Sequence, residues 1–545
     1  MSAMIVAPQP VAVEEGAKVL ASGGNAFDAA LACACVQFVV DPHSCGVGGY
    51  LIMNYRLAGH DGPAPIVDAP ATAGSEVRPD MWSNVVLGPN PSGWGFYLQH
   101  RENDEGYQSI CTPGMVRGME FIHRRWCTRP WDELLEPAIR LAEEGWIVGG
   151  HLADRWKSRA SRAEESSLFD KLHVTTDARR IYLKHDGTAY DAGERITNAD
   201  YARTLRRLAE QGADDFYTGK LADDIAADLK AHGSWVTAQD LTDYRVREEP
   251  PVVTRYRGWT IQTSQPPHGG PTLAAILNIL EGYDLAALGH NSPAYVYLVA
   301  MAMKAAFADR NRWLGDPRFV EVPLGEMISK ERAAEWRKTI DSGTPIEVPR
   351  IQPGSKSTTQ VTVVDHEGNC VSLTHSLGSS SGVISPGLGF MYNNSMVNFY
   401  PYPGHPNSIA PGKGRTTGMT PTLVLREGRP VMVLGAPGAT RIITAVLQTI
   451  LNHLDFDMSI SDAVLAPRFD CQGDTITCHA RIPELACAEV RKKHPISRLP
   501  YSYGELALVH AIAIKDGNQL KGAADAGADG MAMLVPGGAA AAGTR

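Results

Sequence analysis

Apolar residues recur at helical spacing from Val11 to Ser22, covering one face only, and Gly23-Gly-Asn25 stops the run. Asn25 or Asp28 then opens a helix to Val40 that is apolar all round, the pattern of a buried helix. Asp41-Pro-His-Ser-Cys-Gly-Val-Gly-Gly49 reads as a glycine-rich turn into a strand, Tyr50 to Tyr55. Trp131 to Gly145 predicts a further helix, with leucine, isoleucine and alanine on one face and glutamates on the other. A short capped helix over Thr237 to Tyr244 precedes a strand around Val252 to Tyr256. Pro266-Pro-His-Gly-Gly270 opens a strongly apolar helix, Pro271 to Leu280, and Tyr295 to Ala308 is helical again.

From Asp341 to Ser357 the pattern breaks, because Gly343, Pro345, Pro349, Pro353 and Gly354 interrupt any regular element; this stretch reads as an exposed, mobile linker. Strands follow it. Thr358 to Asp365 alternates and is rich in β-branched residues, Asp365-His-Glu-Gly-Asn369 is a hairpin turn, and Cys370 to Ser376 returns. Gly389 to Tyr392, Pro421 to Leu425 and Val431 to Leu434 predict more strands, and Ile442 to Leu454 a helix. Residues 537–545 are rich in alanine and glycine and read as a disordered tail.

Composition narrows the class. With 44% hydrophobic and 20% charged residues over 545 positions, this is an ordinary globular chain of one large core or several domains. A net charge of -9 and the lack of basic runs between aromatics argue against nucleic acid as a partner. The most apolar stretch, Ala29 to Val40, is too short to span a bilayer, so no membrane partner is expected. The start has no basic segment leading into an apolar one, and the chain as given reads as cytoplasmic. Nine cysteines at scattered spacing make no metal-ligand pattern, and no phosphate-loop or dinucleotide fingerprint is complete, so neither metal nor organic cofactor is implied.

A linker ending at Ser357-Thr358, followed at once by a β-hairpin, suits a self-processing enzyme. A threonine hydroxyl is a poor nucleophile until a base removes its proton. The α-amine of a chain that begins at that residue has a pKa of about 7.7–8.0 and can be the base. The uncut chain has no such amine. Thr358 must therefore first attack the carbonyl of Ser357, forming an ester that water opens.

At this point the sequence resembles the γ-glutamyltransferase family of N-terminal-nucleophile hydrolases, along nearly its whole length. Gly23-Gly-Asn-Ala-Phe-Asp-Ala-Ala30 is similar to the family's opening helix. Thr112-Pro-Gly114, Trp131 to Gly145, Tyr256-Arg-Gly258, Pro266 to Gly270, Leu277 to Gly282, Ala308-Asp-Arg310 and Leu314 to Pro317 follow in order. Thr358 to Asp365 falls where the family's nucleophile strand begins, and Gly435-Ala-Pro-Gly-Ala-Thr-Arg-Ile-Ile443 resembles its glycine-rich turn before a helix. The resemblance implies an α+β fold, a four-layer αββα sandwich. It also implies cleavage into a large subunit, residues 1–357 with the linker 341–357 at its end, and a small one, residues 358–545. These would form a heterodimer of the chain's own fragments, or a dimer of such heterodimers. Thr358 would be the nucleophile, Ser376 its hydrogen-bonding neighbour, and the N–H groups of Gly438 and Ala439 the oxyanion hole. Arg441, shared with the family, reads as a structural ion pair.

The glutamate-binding positions depart from the family. In Pro65-Ile-Val-Asp-Ala-Pro-Ala71 the arginine that holds the glutamate carboxylate is missing, and Asp68 would repel that group if it pointed inward. Gly378 replaces an asparagine, Thr417-Gly418 a serine pair, and Ser395 and Asn398 the glutamine and aspartate that hold the α-amino group; the loop Tyr400 to Gly414 is shortened. Leaving one buried charge unpaired costs about 3–5 kcal/mol, a hundredfold or more in binding. The expected function is therefore hydrolysis of a small non-glutamyl amide, oxamate-like or acylase-like, in a re-purposed pocket with His43, His268 and Arg415 as polar or cationic candidates. Two alternatives stand beside it: a γ-glutamyltransferase or glutathione hydrolase, and an uncleaved, non-enzymatic paralogue that binds a ligand.

Overall fold

The computed structural model describes residues 1–90, 95–160, 162–349, 357–515 and 519–537. The expected hairpin forms: Thr359–Val364 pairs antiparallel with Cys370–Ser376, from Thr359 opposite His375 to Val364 opposite Cys370. Its turn is closed by Asp365, whose Oδ1 accepts from the N–H groups of Glu367, Gly368 and Asn369 at 2.9–3.0 Å. Asp365 Oδ2 accepts from Ala26 N at 2.9 Å, which ties the hairpin to the first turn of the Ala26–Val40 helix. That helix is capped by Asn25, with Asp28 returning a bond to the Asn25 N–H; all its residues are buried.

Strands are numbered along the chain: β1 Ala3–Ala7, β2 Tyr50–Arg56, β3 Ile66–Ala69, β4 Arg247–Glu249, β5 Val252–Tyr256, β6 Trp259–Thr263, β7 Thr359–Val364, β8 Cys370–Ser376, β9 Thr422–Arg426, β10 Arg429–Gly435, β11 His510–Lys515, β12 Gln519–Ala524 and β13 Met531–Val535. One seven-stranded sheet runs β13-β1-β7-β8-β2-β3-β4, and a six-stranded sheet runs β12-β11-β10-β9-β6-β5. All pairings within these two sheets are antiparallel.

Side-chain alternation explains the layers. Val361, Val363, Val371 and Leu373 point to the helices of the first outer layer, among them Ala26–Val40 and Trp131–Glu144. The opposite face of the same strands meets the second sheet. Met4, Val6, Val364, Leu423, Val433 and Ile512 form a small apolar core there. Farther along, that layer turns polar and the sheets are joined by hydrogen bonds, such as Ser372 Oγ to Leu434 O at 2.9 Å and Asn54 Nδ2 to Gln262 O at 2.9 Å. Gly270–Leu280, Pro293–Trp313 and Arg441–Leu454 pack as the fourth layer on the six-stranded sheet. The result is the αββα sandwich. Each sheet takes strands from both sides of the 357/358 bond, so that bond divides the sequence and not the layers.

Three expectations need correction or qualification. Gly389 to Tyr392 is no strand; Gly389 has a φ of 73° and lies against Tyr201, and only Tyr392 makes an isolated bridge, to Gly48. Local bonds use its backbone, Asn198 Nδ2 donating to Gly389 O and Ser381 N to Tyr392 O. At 341–357, Asp341 ends a helix begun at Lys330, residues 342–349 carry no helix or strand, and 350–356 lie outside the described residues. All but Gly537 of the expected tail also lies outside them. Among the described residues no helix is long and apolar enough to cross a membrane.

Candidate active site

Thr358 stands one residue before β7, at the end of the hairpin nearest Ser376. Its Oγ1 lies 3.1 Å from Ser376 Oγ and donates to the carbonyl oxygen of Ser357 at 2.7 Å. Ser376 Oγ donates to the same oxygen at 2.7 Å and accepts from Gly378 N at 2.8 Å. Three oxygens thus close a triangle around the peptide bond between Ser357 and Thr358.

The other partners come from the N-terminal half. Arg155, on the Gly150–Lys157 helix, donates to Ser44 Oγ at 3.0 Å and to Ser357 Oγ. Burial pulls its guanidinium below the ordinary arginine value, against the opposing charges of Asp41 and Glu505. Burial likewise raises the Asp41 carboxyl, which Gln9 Nε2 contacts at 2.8 Å. A cavity of about 580 Å³ opens here, walled in part by Thr358, Ser357, Arg155, Asp41, Gly438 and Arg441. None of Arg155, Asp41, Ser44 and Gln9 was singled out from the sequence, because no spacing relates them to Thr358.

The Gly438–Ala439 turn precedes the Arg441–Leu454 helix. Gly438 has a φ of 136°, and a Cβ there would fall 2.5 Å from Ala507 Cβ. Among the described residues the N–H groups of Gly438 and Ala439 have no hydrogen-bond acceptor, so they can donate to a developing oxyanion. Arg441 donates to Glu505 O at 2.7 Å and lies 4.0 Å from Asp470, and it also reaches the cavity wall.

Gly378, Ser395, Asn398, Thr417 and Gly418 do not line that cavity. All five are buried, and their neighbours Ser379 and Val397 do reach the cavity wall; Gly418 lies against the Gly438–Ala439 turn, where a Cβ on it would meet Ala439 O at 2.0 Å. Thr417 Oγ1 sits 2.7 Å from His268 Nδ1, and His268 Nε2 lies 3.1 Å from Asp68 Oδ2, out of line for a hydrogen bond. Asp68 therefore does point inward, but its charge faces His268 and Gln265 Nε2. Arg310 holds Thr417 O at 2.9 Å, and burial lowers its pKa to about 10. Ser395 Oγ and Asn398 Oδ1, at the two ends of a 3-10 turn, have no hydrogen-bond partner among the described residues. His43 is no cation: burial, then Arg155 and Lys171, holds it well below the ordinary histidine value, and its Nδ1 accepts from Trp156.

Residues 12–535 match the family model described as gamma-glutamyltranspeptidase. The chain belongs to that family. Members are N-terminal-nucleophile hydrolases acting on amide bonds, and the chain shares their fold. Among relatives, the family member named acylase ACY 1 proenzyme, from Pseudomonas sp. (strain V22), is 36% identical over 99% of this chain and 95% of its own length. A glutathione hydrolase proenzyme from Pseudomonas sp. (strain A14) is also 36% identical, over 86% of this chain and 81% of its own. The crystal structure of cephalosporin acylase from Bacillus halodurans superposes with a TM-score of 0.85 at 26% identity, covering 98% of this chain and 95% of that one.

Proposed function

We propose that this protein is a self-processing amidohydrolase that cleaves a small non-glutamyl amide, oxamate-like or of the kind acylases take, through an acyl-enzyme on Thr358. The observation that carries the reading is the contact of Thr358 Oγ1 with the Ser357 carbonyl, shared with Ser376. In the first step Thr358 Oγ bonds to the Ser357 carbonyl carbon, the C–N bond breaks, and the hydroxyl proton passes to the departing nitrogen. Ser376 stays bonded to the carbonyl oxygen as charge develops on it. Water then opens the ester, leaving a Ser357 carboxylate, a free hydroxyl and an α-amine on Thr358.

In turnover the amine takes the Oγ proton as Oγ attacks the substrate carbonyl, with the Gly438 and Ala439 N–H groups on the oxyanion. The proton goes on to the leaving amine, and water, or a second amine in transfer, releases the acyl group. The fragments 1–357 and 358–545 stay together because each sheet interleaves strands of both. The relation to the acylase named above, 36% identical over 99% of the chain, is compatible with a non-glutamyl acyl group. So are the buried Ser395 and Asn398, which offer no carboxylate to a glutamyl ammonium.

Glutathione hydrolysis is the second reading, favoured by the glutathione hydrolase relatives. A substrate screen separates the two. Release of the aniline from acyl anilides or of ammonia from oxamate, with background rates on a γ-glutamyl anilide, is expected; the reverse order would replace the first reading by the second.

A further inference from the structure

We propose that Ser379 is a hydrogen-bond donor to the substrate, so that the acyl group taken by Thr358 carries an uncharged acceptor oxygen, an ether or a carbonyl, a few atoms from the scissile amide. This deepens the acyl-enzyme reading and rests on it. Ser379 and Thr358 wall the same cavity. Thr358 Oγ1 is 3.1 Å from Ser376 Oγ, Ser376 Oγ accepts from Gly378 N at 2.8 Å, and Ser379 is the next residue. That path is no longer than about 13 Å. Contacts of about 3 Å at each end leave room for about six chain atoms at most between the hydroxyl and the attacked carbon.

This hydroxyl differs from its neighbours in what already holds its oxygen. Lys171, 0% exposed, ends the Leu168–Lys171 helix and donates to Ser379 Oγ at 2.8 Å. Asn394 Nδ2 donates to the same oxygen at 2.9 Å, and Asn394 Oδ1 accepts from Ser379 N at 2.8 Å. Both lone pairs of the oxygen are taken, so its O–H is left to donate. Among the described residues no acceptor takes that proton, and Ser379 is partly exposed at the cavity wall. Asp104 Oδ1 accepts from Lys171 at 2.8 Å and from Asn394 at 2.7 Å, which pairs the buried cation. A lysine is almost never fully buried without such a partner. The ion pair has two consequences. Lys171 keeps its proton and donates to Ser379, so Ser379 is no second, base-activated nucleophile. The ammonium also polarises the hydroxyl into a stronger donor, while Asp104 cancels its charge. The wall thus offers one O–H and no net positive charge, which suits an ether or carbonyl oxygen and not a carboxylate.

The test uses matched p-nitroanilides in which one methylene of the acyl chain is replaced by oxygen: methoxyacetyl against butanoyl, 3-methoxypropanoyl against pentanoyl, and 4-methoxybutanoyl against hexanoyl. Each ratio of kcat/KM is divided by the ratio for alkaline hydrolysis of the same pair, which removes the electronic effect of the oxygen. At one chain length wild type is expected to favour the ether about tenfold, the worth of one hydrogen bond. Ser379→Ala, which leaves the contacts among Lys171, Asp104 and Asn394 in place, should bring that ratio near one, and Ser379→Thr should keep part of it. A merely structural Ser379 would slow both members of a pair alike, and an unchanged ratio in Ser379→Ala overturns the proposal. So does a corrected wild-type ratio near one at every length, a result that needs no variant to fold. If wild type cleaves none of the anilides, the amidase reading falls and the free primary amides decide the donor. The methoxy amide should then raise the melting temperature of wild type more than its alkyl counterpart, and equal shifts overturn the proposal.

Discussion

The two flanks of Thr358 are built differently. On the side of the Ser357–Thr358 bond, Ser357 O receives two hydroxyls, Ser357 Oγ receives Arg155, and Arg155 also holds Ser44. On the other side, Arg415, Ser395 Oγ and Asn398 Oδ1 are buried and have no hydrogen-bond partner among the described residues. Burying polar groups unbonded costs about 1–3 kcal/mol each, so these groups gain from any ligand or water that completes them. The first flank is hydrogen-bonded around the chain's own Ser357–Thr358 peptide bond, although Asp41 Oδ1 there also lacks a partner among the described residues; the second holds more such groups. On the proposed reading, the same fold prepares two acylations of the Thr358 hydroxyl, by different means.

This contrast can be broken at several points. Thr358→Ala removes the atom both flanks serve, and amide hydrolysis should fall to background, read with any substrate from the screen; residual activity above it would place the nucleophile elsewhere. Gly438→Ala comes next. Its Cβ would collide with Ala507 at a φ of 136°, so the turn must shift, and kcat should drop about a hundred- to thousandfold, as for loss of an oxyanion donor. Arg155→Met acts on the first flank only. A charged hydrogen bond of about 1.5–3 kcal/mol is lost, and self-cleavage, timed on denaturing gels, should slow about tenfold or more.

The smallest effect concerns stability. Burial holds His375 at about 3 and His510 at about 4, below the 6.5 of an unfolded histidine. As pH falls below 6.5 the unfolded chain takes up protons that the folded one does not, so stability is full above that pH and declines toward pH 4 and below. His375→Gln should flatten the slope of melting temperature against pH in this window by at most about 1.4 kcal/mol per unit in free energy.

Much of the first flank was legible in the sequence, because it is local. Alternation along Thr358 to Asp365, the Asp365 turn and the return strand to Ser376 set Thr358 and Ser376 18 positions apart. The second flank was legible only as departures from a resemblance, and Arg415 only as a candidate; its stacking on Tyr50 joins residues 365 positions apart, which no periodicity records. Arg155 was missed for the same reason. Strand β1 went unread because five apolar residues before Pro8 carry no alternation, both of its faces being buried. Gly389 to Tyr392 misled in the other direction: its residue types suit a strand, but a left-handed glycine and side-chain bonds occupy the backbone.

The central claim is that this chain makes its own nucleophile at Thr358. Intact-mass measurement and N-terminal sequencing of the purified protein test it directly. The account predicts two fragments, one beginning at Thr358, and a single uncut chain for Thr358→Ala. A wild-type chain that stays whole after long incubation, or a cut that persists in Thr358→Ala, would contradict it.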